Sequence, residues 1–243
     1  MKSIIAVTLF IVTCSLSAFS QSDSRAGLLR ELETKRAELG KLELRVLEPA
    51  AEDREAHAQF LAQPNTGLIR LLPREKYDFH AKGKSGLTMN GGGAFYSFVR
   101  LTHEYGRGSD ILLEQNYLSV GFAGADYGII TMIDEMPLEN VTAELSPVTF
   151  LLGYNPPSEE AAARQEGRSF HTPGKTIEGI TYQRRLPVKV NATYLVRSIS
   201  YGDSDVLVAF RVVRKDSDDS LIIAWKLLKK FPKPELIRST ASR

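Results

Sequence analysis

Cysteine and tryptophan are nearly absent from this sequence of 243 residues, with one copy of each, Cys14 and Trp225. Cys14 lies within the N-terminal apolar segment. A chain cleaved after that segment therefore has no cysteine for disulfides, thiolate catalysis or metal binding. The formal net charge of +2 is too close to zero to indicate a nucleic-acid partner. Stability must then come from an apolar core, which a chain of this length is able to bury.

The first 20 residues have the organisation of a secretory signal peptide. A lysine precedes an apolar run over residues 4–12, and small residues follow at Ala18 and Ser20. The run is shorter than the roughly 20 apolar residues that span a bilayer, and no run of that length follows it. The pattern predicts cleavage before Gln21 and export to the periplasm or the extracellular space.

Cys14 offers an alternative, because a cysteine after an apolar run is also the lipidated first residue of bacterial lipoproteins. Thr13 precedes it and is bulkier than the small residue typical of such sites. We therefore expect cleavage before Gln21 rather than lipid anchoring at Cys14.

A helical arm is predicted over residues 21–66, as one helix over 23–48 and a second over 50–62, separated by Pro49. The first helix has apolar residues at heptad spacing, namely Leu28, Leu32, Leu39, Leu42 and Val46. Lys35 occupies one core position of this pattern and is its only polar residue. Such a seam needs a cover, either the rest of the chain or the same seam in a second copy. Self-association through residues 28–46 is thus one interpretation, but Lys35 at a core position favours packing within one chain.

Short apolar runs alternate with turn residues over residues 67–231, which predicts one antiparallel β domain, a sandwich or a barrel, in an α+β protein. A basic tail follows over 232–243. Trp225 alternates with Ile223 and Leu227 on one face of its strand, so we expect it in the core. A short helix is expected after Ser158, in the long connection over 153–176. The predicted strands are residues 68–72, 95–105, 111–114, 117–122, 127–133, 148–152, 177–184, 193–201, 206–213 and 221–228.

One candidate catalytic group lies where the predicted strand over 95–105 ends. His103 is a possible general base, with Asp110 or Glu104 as the acid that orients it. The alternative for His103 is a structural hydrogen bond to a main-chain carbonyl. No G-x-S-x-G motif marks a hydrolase serine.

Candidate ligand-binding residues lie in loops, where binding sites are common. Asn90 belongs to a glycine-rich connection over 80–93, Asp126 and Tyr127 follow a small-residue loop, and His171 lies in the connection over 153–176. No two histidines have the HxH or HxxxH spacing of a metal site, so neither a metal nor another cofactor is expected.

These observations favour an exported, non-enzymatic binding or interaction module with an unidentified ligand. The alternative is an extracytoplasmic hydrolase that uses His103 with Asp110 or Glu104. A pocket that joins His103 to the 153–176 connection would favour the hydrolase.

Overall fold

The computed structural model of the chain describes residues 2–77, 93–103, 105–122 and 124–237, with side chains from residue 24 onward. The chain divides into two compact units, Met1–Val46 and Leu47–Arg243. Residues 238–243 of the predicted basic tail lie outside the described residues.

A single helix, α1 (Lys2–Leu47), makes up the first unit and ends two residues before Pro49. The predicted start near residue 23 is wrong, since the helix is continuous through that point. Among its described side chains, Leu28, Leu32, Leu39 and Leu42 each expose half or more of their surface. None of the helices in the described part of the chain carries an apolar stretch long enough to cross a membrane. How the heptad seam is covered stays a prediction.

Two short helices, α2 (Ala51–Ala56) and α3 (Ala58–Leu61), replace the single helix predicted over 50–62. His57 separates them because its backbone leaves the helical region (φ −109°, ψ 12°). Its Nδ1 atom lies 2.9 Å from the carbonyl oxygen of Asp53, one turn earlier. Phe60 of α3 is buried in the larger unit.

The strands of the larger unit are antiparallel to their neighbours and form three sheets. The α+β class is confirmed, with stacked open sheets rather than a closed barrel in the described chain. A large sheet has the order β1-β11-β10-β9-β5, a smaller one β2-β3-β4-β8, and β6 and β7 form a hairpin. The strands are β1 (Thr66–Leu71), β2 (Phe95–Tyr96), β3 (Ile111–Glu114), β4 (Tyr117–Ser119), β5 (Tyr127–Met132), β6 (Lys175–Ile177), β7 (Ile180–Tyr182), β8 (Arg185–Pro187), β9 (Thr193–Ser200), β10 (Ser204–Lys215) and β11 (Leu221–Lys230).

The remaining helices are α4, α5 and α6. Their bounds are Arg74–Tyr77, Ser146–Gly153 and Glu160–Ser169, and one 3-10 turn covers Leu138–Asn140. The short helix expected after Ser158 is thus present. Its N-cap is Glu159, and the helix continues through Gly167 to Ser169.

The first apolar core lies between the two larger sheets. Val196, Val208 and Trp225 reach it from the large sheet, and Ile111 and Leu118 reach it from the small one. Trp225 exposes only 5% of its surface, so its predicted core position is confirmed.

The second core covers the opposite face of the large sheet. Alternate residues of the same strands, including Leu195 and Leu207, pack there against Phe60, Leu151 and Ala163 from the helices. The unit therefore has three layers: the small sheet, the large sheet, and the helices. Because both faces of the large sheet are covered, every residue of β9 is buried.

Three predicted strands are wrong. The run over 177–184 is not one strand, because a turn at Glu178 and Gly179, both with positive φ, separates β6 from β7. The run over 95–105 leaves the sheet after Tyr96, because the carboxylate of Asp110 accepts the main-chain N–H of Phe98 at 2.7 Å and the chain turns. The run over 148–152 belongs to helix α5, where Val148 and Leu151, three residues apart, are both buried in the second core.

Candidate ligand-binding cleft

The outer face of the small sheet, opposite the first core, carries a row of side chains aligned across four strands. Phe95, Leu112, Ser119 and Arg185 are successive partners in the antiparallel register. Their neighbours along each strand, such as Tyr96 and Ile111, face the first core. Alternation along the strands thus produces a mixed apolar and polar surface on the side away from the core.

A cavity of about 670 Å³ lies over this row, a volume typical of small-molecule sites. Its apolar wall is an aromatic cluster around Phe95. The Phe95 ring lies edge-on to Tyr105 and Phe122, with centroids 5.0 Å and 5.5 Å away. Leu112 completes this wall. Phe95 and Leu112 are themselves buried, whereas Tyr105 and Phe122 keep exposed surface. These two rings therefore offer the surface on which an aromatic or aliphatic group can pack.

One side of the cavity carries a compensated charge pair. Nη1 of Arg74 lies 2.9 Å from Oε1 of Glu114. The Arg74 guanidinium also lies over the Phe95 ring, 5.6 Å from its centroid. The pair connects helix α4 to strand β3 and positions the guanidinium at the rim.

Arg184 and Arg185 line the same cavity, although adjacent residues of a regular strand point to opposite faces. The chain bends at Arg184, between β7 and β8. The main-chain N–H of Arg184 donates to the carbonyl of Phe170 at 2.7 Å, which connects this bend to the end of α6. The bend is the local reason that both guanidinium groups reach one cleft.

A carbonyl, an imidazole and an aromatic ring hold these two guanidiniums in place. Nε of Arg184 donates to the Val120 carbonyl at 3.2 Å, and its Nη1 lies 3.2 Å from Nε2 of His171. Arg185 stacks on Tyr117, with its guanidinium carbon 4.0 Å from the ring centroid. Neither arginine forms an ion pair with a carboxylate of the described residues. Their charges are therefore available to a ligand.

A smaller recess of about 220 Å³ adjoins the large cavity and shares Phe122, His171 and Arg184 with it. Gly121, at its edge, has φ +74°, and a Cβ atom there would lie 2.5 Å from the Tyr127 Cα. Only glycine fits this close approach. Gly167 and Arg168, from helix α6, also line this recess.

His171 is exposed and lies where the two cavities meet. An arginine only donates hydrogen bonds. In a hydrogen bond with Arg184, Nε2 of His171 therefore takes the role of acceptor.

The candidate catalytic residues make their hydrogen bonds to different groups. Nε2 of His103 lies 2.7 Å from the Arg70 carbonyl, and burial lowers the pKa of its imidazole. The Asp110 carboxylate accepts the N–H of Phe98, and burial raises its pKa to about 6. The large cavity joins Tyr105 and Gly106 to His171 and Thr172, and His103 is not part of its lining.

Asp126 and Tyr127 border the smaller recess. Asp126 accepts the main-chain N–H of Tyr201 at 2.8 Å, and burial raises the pKa of its carboxyl. The Tyr127 hydroxyl lies 2.7 Å from the hydroxyl of Tyr154, which in turn donates to Glu166. Both polar groups are thus engaged within the protein, and Tyr127 belongs to the second core.

Glu104 and Asn90, named above as candidates, lie outside the described residues. Sequence reasoning missed Arg74, Arg184 and Arg185. The only local signal for them is the Arg184-Arg185 doublet after an apolar strand, which by itself is an ordinary surface feature.

No group of three or more His, Cys, Asp or Glu residues suited to a metal ion occurs within the described ranges. Comparisons with protein-family models, with curated proteins and with solved structures found no match for this chain.

Proposed function

We propose that this protein is an exported, non-enzymatic binding module whose ligand occupies the outer-face cleft. The observation that carries the proposal is the cleft itself: about 670 Å³, with an aromatic wall and two guanidinium groups that no described carboxylate neutralises. A cavity lined by apolar groups with a few convergent polar groups is the usual form of a small-molecule site.

Two arrangements support binding rather than hydrolysis. The Nε2 atom of His103 is hydrogen-bonded to the main-chain carbonyl of Arg70, and the Asp110 carboxylate accepts the main-chain N–H of Phe98 in a turn. Both contacts are those of structural groups. Export is supported by the pattern of charge, apolar run and small residues over 1–20, and is a separate part of the proposal.

An uncharged aromatic probe tests the use of the cleft. We expect 2-naphthalenemethanol to shift the amide NMR signals of Phe95, Tyr105 and Phe122 in a saturable manner. Tyr105→Ala removes one side of the aromatic wall and should weaken binding several-fold. Tyr105 is 45% exposed, so the change leaves the cores intact.

Met132→Ala is the matched control, since Met132 is an apolar side chain of similar exposure, 39%, on strand β5. This variant should bind the probe as the wild type does. The cleft would not be the binding site if Tyr105→Ala left the affinity for the probe unchanged, or if the shifted signals belonged to residues outside the cleft.

A further inference from the structure

Arg184 is a cation whose position is fixed without neutralising its charge. The groups that hold its guanidinium are the Val120 carbonyl and Nε2 of His171, and neither is a carboxylate. By contrast, Arg164 on the far side of the smaller recess is paired with Glu160 at 2.7 Å. A charge-assisted hydrogen bond from a positioned guanidinium to an anion is stronger than a bond to a neutral group. Arg184 is therefore prepared for an anionic acceptor.

The surroundings of Arg184 add two further donors for an anion. One is the Nδ1–H group that the His171 ring carries when its Nε2 accepts a hydrogen bond from Arg184. The exposed guanidinium of Arg168, in the last turn of α6, is the other, and it lines the same recess. Planar guanidinium groups suit the oxygen pairs of carboxylates and phosphates, which accept two parallel hydrogen bonds.

The position of this cationic group within the cleft indicates the rest of the ligand. Arg184, His171 and Phe122 line both cavities, so an anion held there sits at their junction. From the junction the large cavity continues along the aromatic wall of Phe122, Phe95 and Tyr105. A ligand anchored by its charge at Arg184 therefore extends an apolar part over the aromatic rings.

We infer that the ligand is an amphipathic anion, a carboxylate or phosphate head carrying an aromatic or aliphatic body, with its head bound by Arg184, His171 and Arg168. This inference rests on the proposed function, because it assigns the chemistry of a ligand in the same cleft. Arg184 makes the main contribution to charge selection, whereas the aromatic wall contacts charged and uncharged ligands alike.

A set of three probes that differ only in the head group tests the inference by calorimetry: 2-naphthoate, 2-naphthyl phosphate and uncharged 2-naphthalenemethanol. We expect the wild type to bind the better anion about tenfold more tightly than the alcohol, as a charge-assisted bond of about 1.4 kcal/mol implies. The tighter anion identifies the head group as carboxylate or phosphate.

Arg184→Gln should weaken binding of the anion about tenfold and so remove most of its preference over the alcohol. Arg184→Lys should keep part of the preference for the anion, because lysine supplies the positive charge but not the planar pair of N–H donors. Arg211→Gln is the matched control, because the Arg211 guanidinium also donates to main-chain carbonyls, those of Glu135 and Met136, and lies away from the cleft. The near-ultraviolet signal of Trp225, the chain's only tryptophan, reports whether each variant is folded.

The outcomes separate the two proposals. Equal affinity for anion and alcohol, with both weakened by Tyr105→Ala, would overturn the inference and support the proposed function. An anion preference that is undiminished in a folded Arg184→Gln protein would also overturn the inference. If no probe binds the folded wild type, both proposals fail.

Discussion

Arg197 on β9 and Asp205 on β10 form a buried two-point ion pair. Nε and Nη2 of the arginine lie 2.9 Å and 2.8 Å from the two carboxylate oxygens, and the side chains expose only 2% and 3% of their surface. Nη1 of Arg197 also donates to the carbonyls of Leu151 and Tyr154 at 2.5 Å and 2.6 Å, where α5 ends. The pair therefore connects the large sheet to the helical layer.

Arg197→Met should lower the free energy of unfolding by about 3–5 kcal/mol, because it leaves a buried carboxylate without its partner. Urea denaturation measures this loss. Arg197→Met combined with Asp205→Leu should recover part of it, since no unpaired charge then remains. A double variant less stable than Arg197→Met alone would contradict this account of the pair.

Gly67→Ala should cost about 1–3 kcal/mol, the usual range for overpacking a core. Gly67 is the cross-strand partner of Trp225, and a Cβ atom at residue 67 would lie 2.5 Å from the indole ring. Thermal unfolding provides the measurement. Gly153→Ala is the control, because no atom lies within 4 Å of that Cβ position and helix α5 should gain from alanine. Equal melting temperatures for Gly67→Ala and the wild type would show that the indole can move aside.

Asp110 should make the protein more stable in mild acid than at neutral pH. Burial raises its pKa in the folded protein to about 6, and an unfolded aspartate has a pKa of about 3.9. Between these values only the folded state holds the proton, so this contribution to stability is complete below about pH 4 and is lost as the pH rises through 6.

Asp110→Asn isolates this effect from the other titrating carboxyls. The stability of the wild type relative to the variant should be greater at pH 4.5 than at pH 7, by about 2 kcal/mol. Urea unfolding of both proteins at both pH values gives the comparison. A difference that is independent of pH would mean that Asp110 keeps an ordinary pKa.

Leu39→Glu tests what covers the heptad seam of α1. We expect a monomeric protein whose melting temperature falls with this change and whose mass in solution does not, because a charge on the seam opposes its burial. Leu44→Glu, at an exposed position off the seam on the same helix, should have little effect. A wild-type dimer or trimer by light scattering that Leu39→Glu dissociates would identify the seam as an oligomerisation surface.

The exported protein should begin at Gln21, for the small residues Ala18 and Ser20 match the pattern before a cleavage site. Intact-mass measurement of the protein from the extracytoplasmic fraction determines this. A mass that corresponds to a lipidated Cys14 as the first residue would replace cleavage before Gln21 with membrane anchoring.

The strands of the large sheet could be predicted from sequence because their apolar residues are continuous or alternate, and the turns between β9, β10 and β11 are short. Phe98 and Val148 were assigned to strands in error for different reasons. The turn at Phe98 depends on a carboxylate 12 residues away, and Val148 lies in an apolar run too short to distinguish a strand from a buried helix.

The cleft could not be predicted in the same way. Its floor joins Glu114 and Arg185, which are 71 positions apart and meet only through the register of β3, β4 and β8. No local pattern records that register. The sequence marks His171 as a candidate only because it lies in a long connection. Its proximity to Arg184 follows from the hydrogen bond between the Arg184 N–H, just before β8, and the Phe170 carbonyl at the end of α6.

The three layers of the larger unit also bear on how such a protein can change over generations. Its two larger cores lie on the two faces of the large sheet, and the cleft lies one layer further out, on the far face of the small sheet beside the small cluster of Ala94, Phe95 and Leu112. Substitutions at Tyr105, Arg184 or Arg185 therefore alter no residue of either core. The specificity of the proposed binding cleft is thus able to change by substitution in the outermost layer, while the same folded framework persists beneath it.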